Sequence, residues 1–429
     1  MKKILIIFIF VLLFIPFNIL AEEGYLNVTA PGNRQLQLAI TATRGPAGMQ
    51  HPEIVKDVSD ILQFDMTLAG PFSVRTVAGS TDESGIRPGE FDIAPWKAAG
   101  VDLLVKSCYT ISGNNITLEC RLYDVFKNRE LTAKRYTGNI RDLRKIVHAF
   151  ADEIMKAVTG EIGPFTGKIA FVSKRTGNKE IYLMDYDGYN VQKLTRNGSI
   201  NLNPDFSPDG REIIYTSYKR GNPDLFRREL FSGAEAVISA RHGINITGAY
   251  APDRKKIALA MSKDGSSNIY LIDKTGKLLA RLTNGGYIDV SPAWSPDGSR
   301  IAFVSDRLGR PQVFIMNSDG GNLHRLTFSG VYNVSPRWSP KGDRILYCRL
   351  EENIFQIYAI NPDGSSDTRL TSEGSNEHPR WSPDGRFITF SSKRGGKEAI
   401  YVMRADGSGQ TRVSRGAGDD SHPIWSPRW

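Results

Sequence analysis

The side chains able to do chemistry in this chain are few and scattered. Of the six histidines, His378 and His422 stand at equivalent places, each before a proline, where other copies of the same pattern carry Asn203, Ser291 and Ser335. A zinc centre needs four convergent ligands, and these spacings do not assemble them. Asp205, Asp289, Glu377, Asp419 and Asp420 fall near one end of repeated strands and offer oxygen ligands of the kind calcium takes, but solvated acids are the plainer reading. No Gly-x-Ser-x-Gly elbow occurs, and with Trp429 as the last residue no hydrolase domain is expected after the repeats. Cys108 and Cys120 flank the turn Ser112-Gly113-Asn114-Asn115. If Ile111 faces Ile116, then Tyr109 faces Leu118, Ser107 faces Cys120 and Cys108 points away, so a disulfide requires a one-residue slip. With Cys348 this predicts three free, mostly buried thiols. The expectation is a binding protein, not an enzyme, with no catalytic residue, cofactor or metal.

The elements that position these residues come in copies. The aromatic before each Ser-Pro or Ala-Pro falls at Phe206, Tyr250, Trp294, Trp338, Trp381 and Trp425, in steps of 44, 44, 44, 43 and 44. In each copy a short extended segment carries the aromatic and Ser-Pro-Asp-Gly follows as a tight turn, with Pro fixing φ and Gly relieving strain. A strand comes next (Ile169 to Ser173, Ile213 to Ser217, Ile257 to Met261, Ile301 to Ser305, Ile345 to Arg349, Phe387 to Ser391), then a basic loop, a further strand, an Asp-Gly turn and a short last strand. Four strands at a period near 44 are a propeller blade, and six marks mean six blades. The first blade lacks its aromatic strand. Pro423 to Ser426 is the unused copy, so it is expected to close the ring beside Ile169 to Ser173 and cover two exposed edges.

Residues 1–21 have the charged, apolar and small-residue order of a secretory signal, with cleavage expected after Ala21 and no lipid-attachment Cys beyond it. Residues 22–162 do not repeat and read as an α+β domain. Tyr25 to Ala30 and Leu36 to Thr43 are strand candidates. Pro52 opens a helix with Ile54, Val55, Val58, Ile61, Leu62 and Met66 on one face and Gly70 at its stop. The hairpin Leu103 to Val125 and the strand Glu130 to Tyr136 follow. Asn139 then caps a helix striped by Leu143, Ile146, Val147, Phe150, Ile154, Met155 and Val158, ending at Gly160. The expected domain is a small sheet with helices on one face, joined through the linker 163–167 to the propeller at 168–429.

The basic excess sits in the repeats: residues 22–166 carry −2 and residues 167–429 carry +9. Nucleic acid is an unlikely partner for an exported chain, and an acidic protein surface or anionic envelope polymer fits better. Ser-Pro-Asp-Gly and Asp-Gly turns share one propeller face. The other carries the basic loops with Lys174, Arg175, Lys219, Arg220, Lys263, Arg307, Arg310, Lys393 and Arg394. Nearer the axis lie Asn201, Asn203, His242, Asn245, Tyr287, Tyr332, Asn333, His378 and His422. A basic ring around a polar and aromatic mouth suits an acidic protein. Glu22, Glu23, Gly24, Tyr25, Leu26, Asn27, Val28, Thr29 and Ala30, exposed by signal cleavage, alternate in the manner of a strand able to join a sheet edge.

An export signal, a small α+β domain and six blades built on Trp-Ser-Pro-Asp-Gly-x-x-Ile-Ala-Phe resemble the TolB family, periplasmic components of the Tol-Pal envelope system. The resemblance covers the mature chain, and two turns depart from it: Ala251-Pro252-Asp253-Arg254 lacks the Gly, and Lys341 replaces the Asp. It implies a monomer in the periplasm without stable membrane insertion, with roles in outer-membrane integrity and cell division. By the same resemblance TolA binds through Glu22–Ala30. The resemblance also implies that the lipoprotein Pal binds through the propeller; the charge layout makes the loop face the expected one, with Arg175, Arg220, His242, Asn245, Tyr287, Arg307, Tyr332, His378, Arg394 and His422 as candidate contacts, and other envelope proteins stay open as further partners. Composition and spacing alone leave open a glycan- or peptide-binding propeller and a channel-metal propeller enzyme.

Overall fold

The computed structural model describes residues 34–46, 51–75, 85–416 and 418–428. The signal, the segment Glu22–Ala30 and the strand candidate Tyr25 to Ala30 lie outside them.

The first domain is a five-stranded sheet. In chain order its strands are β1 (Leu36–Ile40), β2 (Phe72–Arg75), β3 (Leu103–Ser112), β4 (Asn115–Asp124) and β5 (Arg129–Asn139), arranged β2-β1-β3-β4-β5. β1 lies parallel to both neighbours, a pairing that needs crossovers, and α1 (Pro52–Ala69) supplies the first. The hairpin has the expected register: Ile111 faces Ile116, Tyr109 faces Leu118, Ser107 faces Cys120, and Cys108 faces Glu119. All three thiols are free, Cys120 and Cys348 fully buried and Cys108 half-buried. Pro52 opens α1, and Gly160, at φ 79°, ends α3 (Leu143–Thr159) in the left-handed conformation that glycine adopts without a Cβ clash. The apolar stripes of α1 and α3 pack on one sheet face. Helices are not confined to that face. The short α2 (Ala94–Ala98) sets Trp96 against Leu104, Tyr123 and Val125 on the opposite side. β2 and α2 are the two elements the sequence reading lacks.

Six four-stranded antiparallel sheets follow, each with the aromatic strand innermost. Blade 2 is typical, running Asn201–Phe206, Glu212–Ser217, Asp224–Glu229 and Glu235–Ser239 from axis to rim. The ring closes as expected: Asp420–Trp425 pairs with Lys168–Thr176, with Trp425 opposite Ile169 and Asp420 opposite Ser173. In four turns Ser Oγ bonds a nearby Asp, and where Lys341 displaces the usual Asp, Asp343 accepts from Ser339 instead. Arg254, in the turn without glycine, takes φ 61°.

Neighbouring blades are latched by buried polar residues at matching positions. Gln312 Oε1 accepts from Thr327 at 2.8 Å and from Asn333 of the next inner strand at 2.7 Å, and Gln356 does the same with Thr371 and Asn376. Such groups are stable in a core because each is paired.

The first domain docks on the face bearing the Ser-Pro-Asp-Gly turns, over blades 1 and 6. Arg404 donates to the carbonyls of Thr67 and Leu68, Arg386 pairs with Glu161 at 2.8 Å, and Arg428 donates to the carbonyl of Ile162. Phe165, Tyr186, Phe387 and Trp425 join α1 and α3 in one continuous core. The segment 163–167 is pinned by Asp152, which accepts from the backbone N–H groups of Phe165 and Thr166 at 2.8 and 3.1 Å. Burial pushes the Asp152 carboxyl up to about 7.

Candidate functional site

Among the described residues ionisable side chains meet out of water in several places, and two of these join more than one blade or domain. One is the joint between domains. His148 of α3 is 2 % exposed, with Nδ1 2.8 Å from Asp65 of α1 and Nε2 3.2 Å from Asp187 of blade 1. The Tyr186 hydroxyl donates to Asp65, and Arg144 pairs with Asp187. Burial opposes charge on the ring, but the two carboxylates overcome it and hold His148 up at about 10. Burial likewise pushes Asp65 up, against the pull of His148 and Tyr186. This cluster is a fastening: it spans both domains, and on one side His148 borders a cleft of about 520 Å³ lined by Arg141, Lys145, Lys168 and Asp185.

The other place is the propeller channel. At the third position of every inner strand the ladder shifts register, and the residue there takes a left-handed φ: Asn203 51°, Thr247 54°, Ser291 57°, Ser335 58°, His378 57° and His422 50°. Left-handed non-glycine residues cost on the order of 1 kcal/mol or more each and persist where the surroundings impose them. All six line one cavity of about 140 Å³. The His378 and His422 rings stack at 3.6 Å. Two positions further along the strands stand Arg337 and Arg380, and Arg380 reaches Asp205 at 3.1 Å. Burial, then the two arginines, hold His378 down at about 3, and burial and the His378 ring hold His422 well below its usual value. Burial and the neighbouring Arg380 lower Arg337 to about 9. Beyond the arginines, Trp294, Trp338, Trp381 and Trp425 line an apolar hollow of about 320 Å³ with Pro296, Pro340, Pro383 and Pro427.

The loop face is more divided than a uniform basic ring. Arg175 grips Asp420 through both carboxylate oxygens at 3.1 Å, Arg307 grips Asp289 in the same way, and Arg394 donates to Asn376 and Gln410. Each of these three also bonds the Ser two residues before it and lies over aromatic rings of its own blade. They clamp blades first and present charge second. Asn245 is fully buried, donating to the carbonyls of Arg241 and Gly243, which places it in the wall and out of a partner's reach. Arg220, His242 and Tyr287 are exposed, and Tyr332 is half-buried against Phe355. Lys174 and Lys393, with about half their side chains exposed, are loosely paired at 3.8 Å with Asp419 and Glu377. The acids considered as cation ligands are therefore engaged with Arg or Lys, and among the described residues no cluster of three or more His, Cys, Asp or Glu is placed to hold a metal.

Arg337 and Arg380 escape the sequence reading because that position looks like a spacer between proline and aromatic. Laying the copies side by side gives Asp205, Ala249, Ala293, Arg337, Arg380 and Ile424, and the pair of arginines stands out. For the joint, the signal is polar Asp65 and His148 inside the apolar stripes of two helices.

Among the described residues no helix is long and apolar enough to cross a membrane. Comparison with solved structures gives TolB from Acinetobacter baumannii at a TM-score of 0.81 and 24 % identity, covering 92 % of this chain and 97 % of that one, a likeness of fold. Curated relatives named Tol-Pal system protein TolB, from Geobacter metallireducens and Geobacter sulfurreducens, are each 64 % identical. The aligned stretches are 212 and 198 residues, 49 % and 46 % of this chain and the same shares of theirs, so the chain matches about half the length of these relatives. The model of the TolB amino-terminal domain matches residues 24–131 and that of the TolB beta propeller domain matches 155–429. With the propeller match alone spanning more than half its length, the chain belongs to the TolB family.

Proposed function

We propose that this chain is a periplasmic, non-catalytic scaffold of the Tol-Pal system, divided into a signal (1–21), a TolA-binding first domain (22–162), a connecting segment (163–167) and a Pal-binding propeller (168–429). The observation that carries the reading is the division of the two propeller faces. Every inter-domain contact described above falls on the turn face, which leaves the loop face open, with exposed Lys174, Arg220 and Lys393 around the mouth. Charges so placed speed encounter with an acidic partner and screen out with salt. The tightly held Arg175, Arg307 and Arg394 keep that surface rigid, and His242, Tyr287 and Tyr332 offer closer contacts. Glu22–Ala30 is the matching proposal for TolA, by strand addition. Outer-membrane integrity and cell division are the processes this linkage serves.

The test is a binding-rate measurement with purified Pal across salt concentrations. Combined Lys174→Glu, Arg220→Glu and Lys393→Glu substitution is expected to slow association about tenfold or more and to flatten its salt dependence, while Lys255→Glu on the turn face leaves both unchanged. Equal behaviour of the two sets refutes the face assignment. Deleting residues 22–30 is expected to abolish TolA binding in calorimetry and leave the melt intact, and retained binding refutes that half.

A further inference from the structure

The channel has more cation than its own acids can balance. Arg337 and Arg380 face one carboxylate, Asp205, and that carboxylate is already committed to Arg380 at 3.1 Å and to the backbone N–H of Tyr250 at 3.3 Å. Among the described residues Arg337 donates one hydrogen bond, to the adjacent carbonyl of Pro336 at 2.8 Å. A guanidinium has five N–H donors in a planar fork suited to oxyanions, so most of this one's capacity is unspent. It lines the polar cavity together with the stacked His378 and His422. At about 140 Å³ that cavity has room for roughly four waters of about 30 Å³ each, enough for one tetrahedral oxyanion.

We propose that the propeller channel is an anion site, taking one sulfate- or phosphate-type oxyanion on the free fork of Arg337, with Arg380 adding charge and His378 and His422 closing the pocket. Burial holds the imidazoles neutral, and the same positive field reinforces it. An anion in the cavity cancels that field, so occupancy makes the rings easier to protonate. The site shares His378 and His422 with the candidate Pal contacts, but the groups that hold the anion, Arg337 and Arg380, are not among those contacts.

The test is calorimetric titration of sodium sulfate, and separately of inorganic phosphate, into the mature chain at low ionic strength, with sodium chloride matched for ionic strength as reference. Saturable one-to-one binding is expected for the oxyanions, weakened at least about tenfold by Arg337→Gln and unchanged by Arg220→Gln. Among the described residues Arg337 forms no side-chain ion pair, so its replacement is expected to leave the fold intact; if Arg337→Gln nonetheless melts early, Arg337→Lys serves, keeping charge without the fork and expected to bind several-fold more weakly. Imidazole NMR supplies a second readout, with saturating sulfate raising the pH at which His378 and His422 protonate. Absence of saturable binding, equal affinity in the Arg337 variant, or imidazole titrations indifferent to sulfate each overturn the proposal.

Discussion

The domain joint and the propeller channel bury the same residue type to opposite effect. His148 lies between two carboxylates and is held charged, while His378 and His422 lie beside two arginines and are held neutral. Burial opposes protonation in all three. The sign of the neighbours decides the outcome, since a carboxylate at about 3 Å outweighs desolvation and a guanidinium reinforces it. The two regions nevertheless hang on one strand: Asp420–Trp425 contributes His422 to the channel and Trp425 to the joint, where it stacks on Tyr186 at 5.7 Å.

The harshest way to break the comparison is therefore to remove that strand. Deleting residues 418–429 is expected to open the ring and abolish cooperative melting, and an unchanged melt in calorimetry contradicts the closure. Asp65→Ala comes next. It leaves the Tyr186 hydroxyl without its carboxylate and the buried His148 charge with Asp187 alone, and is expected to cost about 3 kcal/mol in denaturant unfolding; a loss below about 1 kcal/mol means the joint is not electrostatically fastened.

The pH response should split the two sites in opposite directions. The folded pKa of His148, about 10, lies above its unfolded value of about 6.5, so its contribution is complete below pH ~6.5 and lost as pH rises through ~10. For His378, with a folded pKa of about 3, the unfolded chain binds the extra proton, so stability falls as pH drops below ~6.5 towards ~3. Imidazole NMR is expected to show His148 protonated at pH 8 and His378 neutral at pH 5; the same state at both sites would break the contrast. The smallest effect is expected from His378→Asn. Asparagine tolerates the left-handed φ and already occupies the equivalent position as Asn203, so the change should stay within about 1 kcal/mol. A larger loss would mean the stacked rings hold the channel together.

Much of the fold was legible because it repeats or alternates. The spacing of Phe206 to Trp425 counts blades, and the facing of Ile111 and Ile116 follows from which register buries apolar side chains. Closure by the last strand follows from counting aromatic segments against blades. β2, at four residues, and α2, at five, are too short to show a period. The site was less legible, for two physical reasons. Arg175, Arg307 and Arg394 look like solvated loop charge in sequence, and only the fold brings Asp420, Asp289 and Asn376 under them. Asp65, His148 and Asp187 meet from three segments in two domains; the helix stripes mark Asp65 and His148 as buried polar residues, but only the tertiary fold brings them to each other and to Asp187.

The closing strand also sets an order of events. The backbone N–H of Lys168 bonds the Ser426 hydroxyl across 258 residues of chain, so the first blade stays one strand short until the final residues are available. Bringing such distant segments together carries the loop-closure entropy of nearly the whole propeller, a slow kind of contact to form. A chain emerging amino-terminus first can fold β1 to β5 and shape five blades while two sheet edges wait open. Completion of the ring then acts as a check on the closing strand: a product that stops before Asp420 keeps bare edges and lacks Trp425 at the joint, and is exposed to proteolysis or aggregation where the closed ring is not.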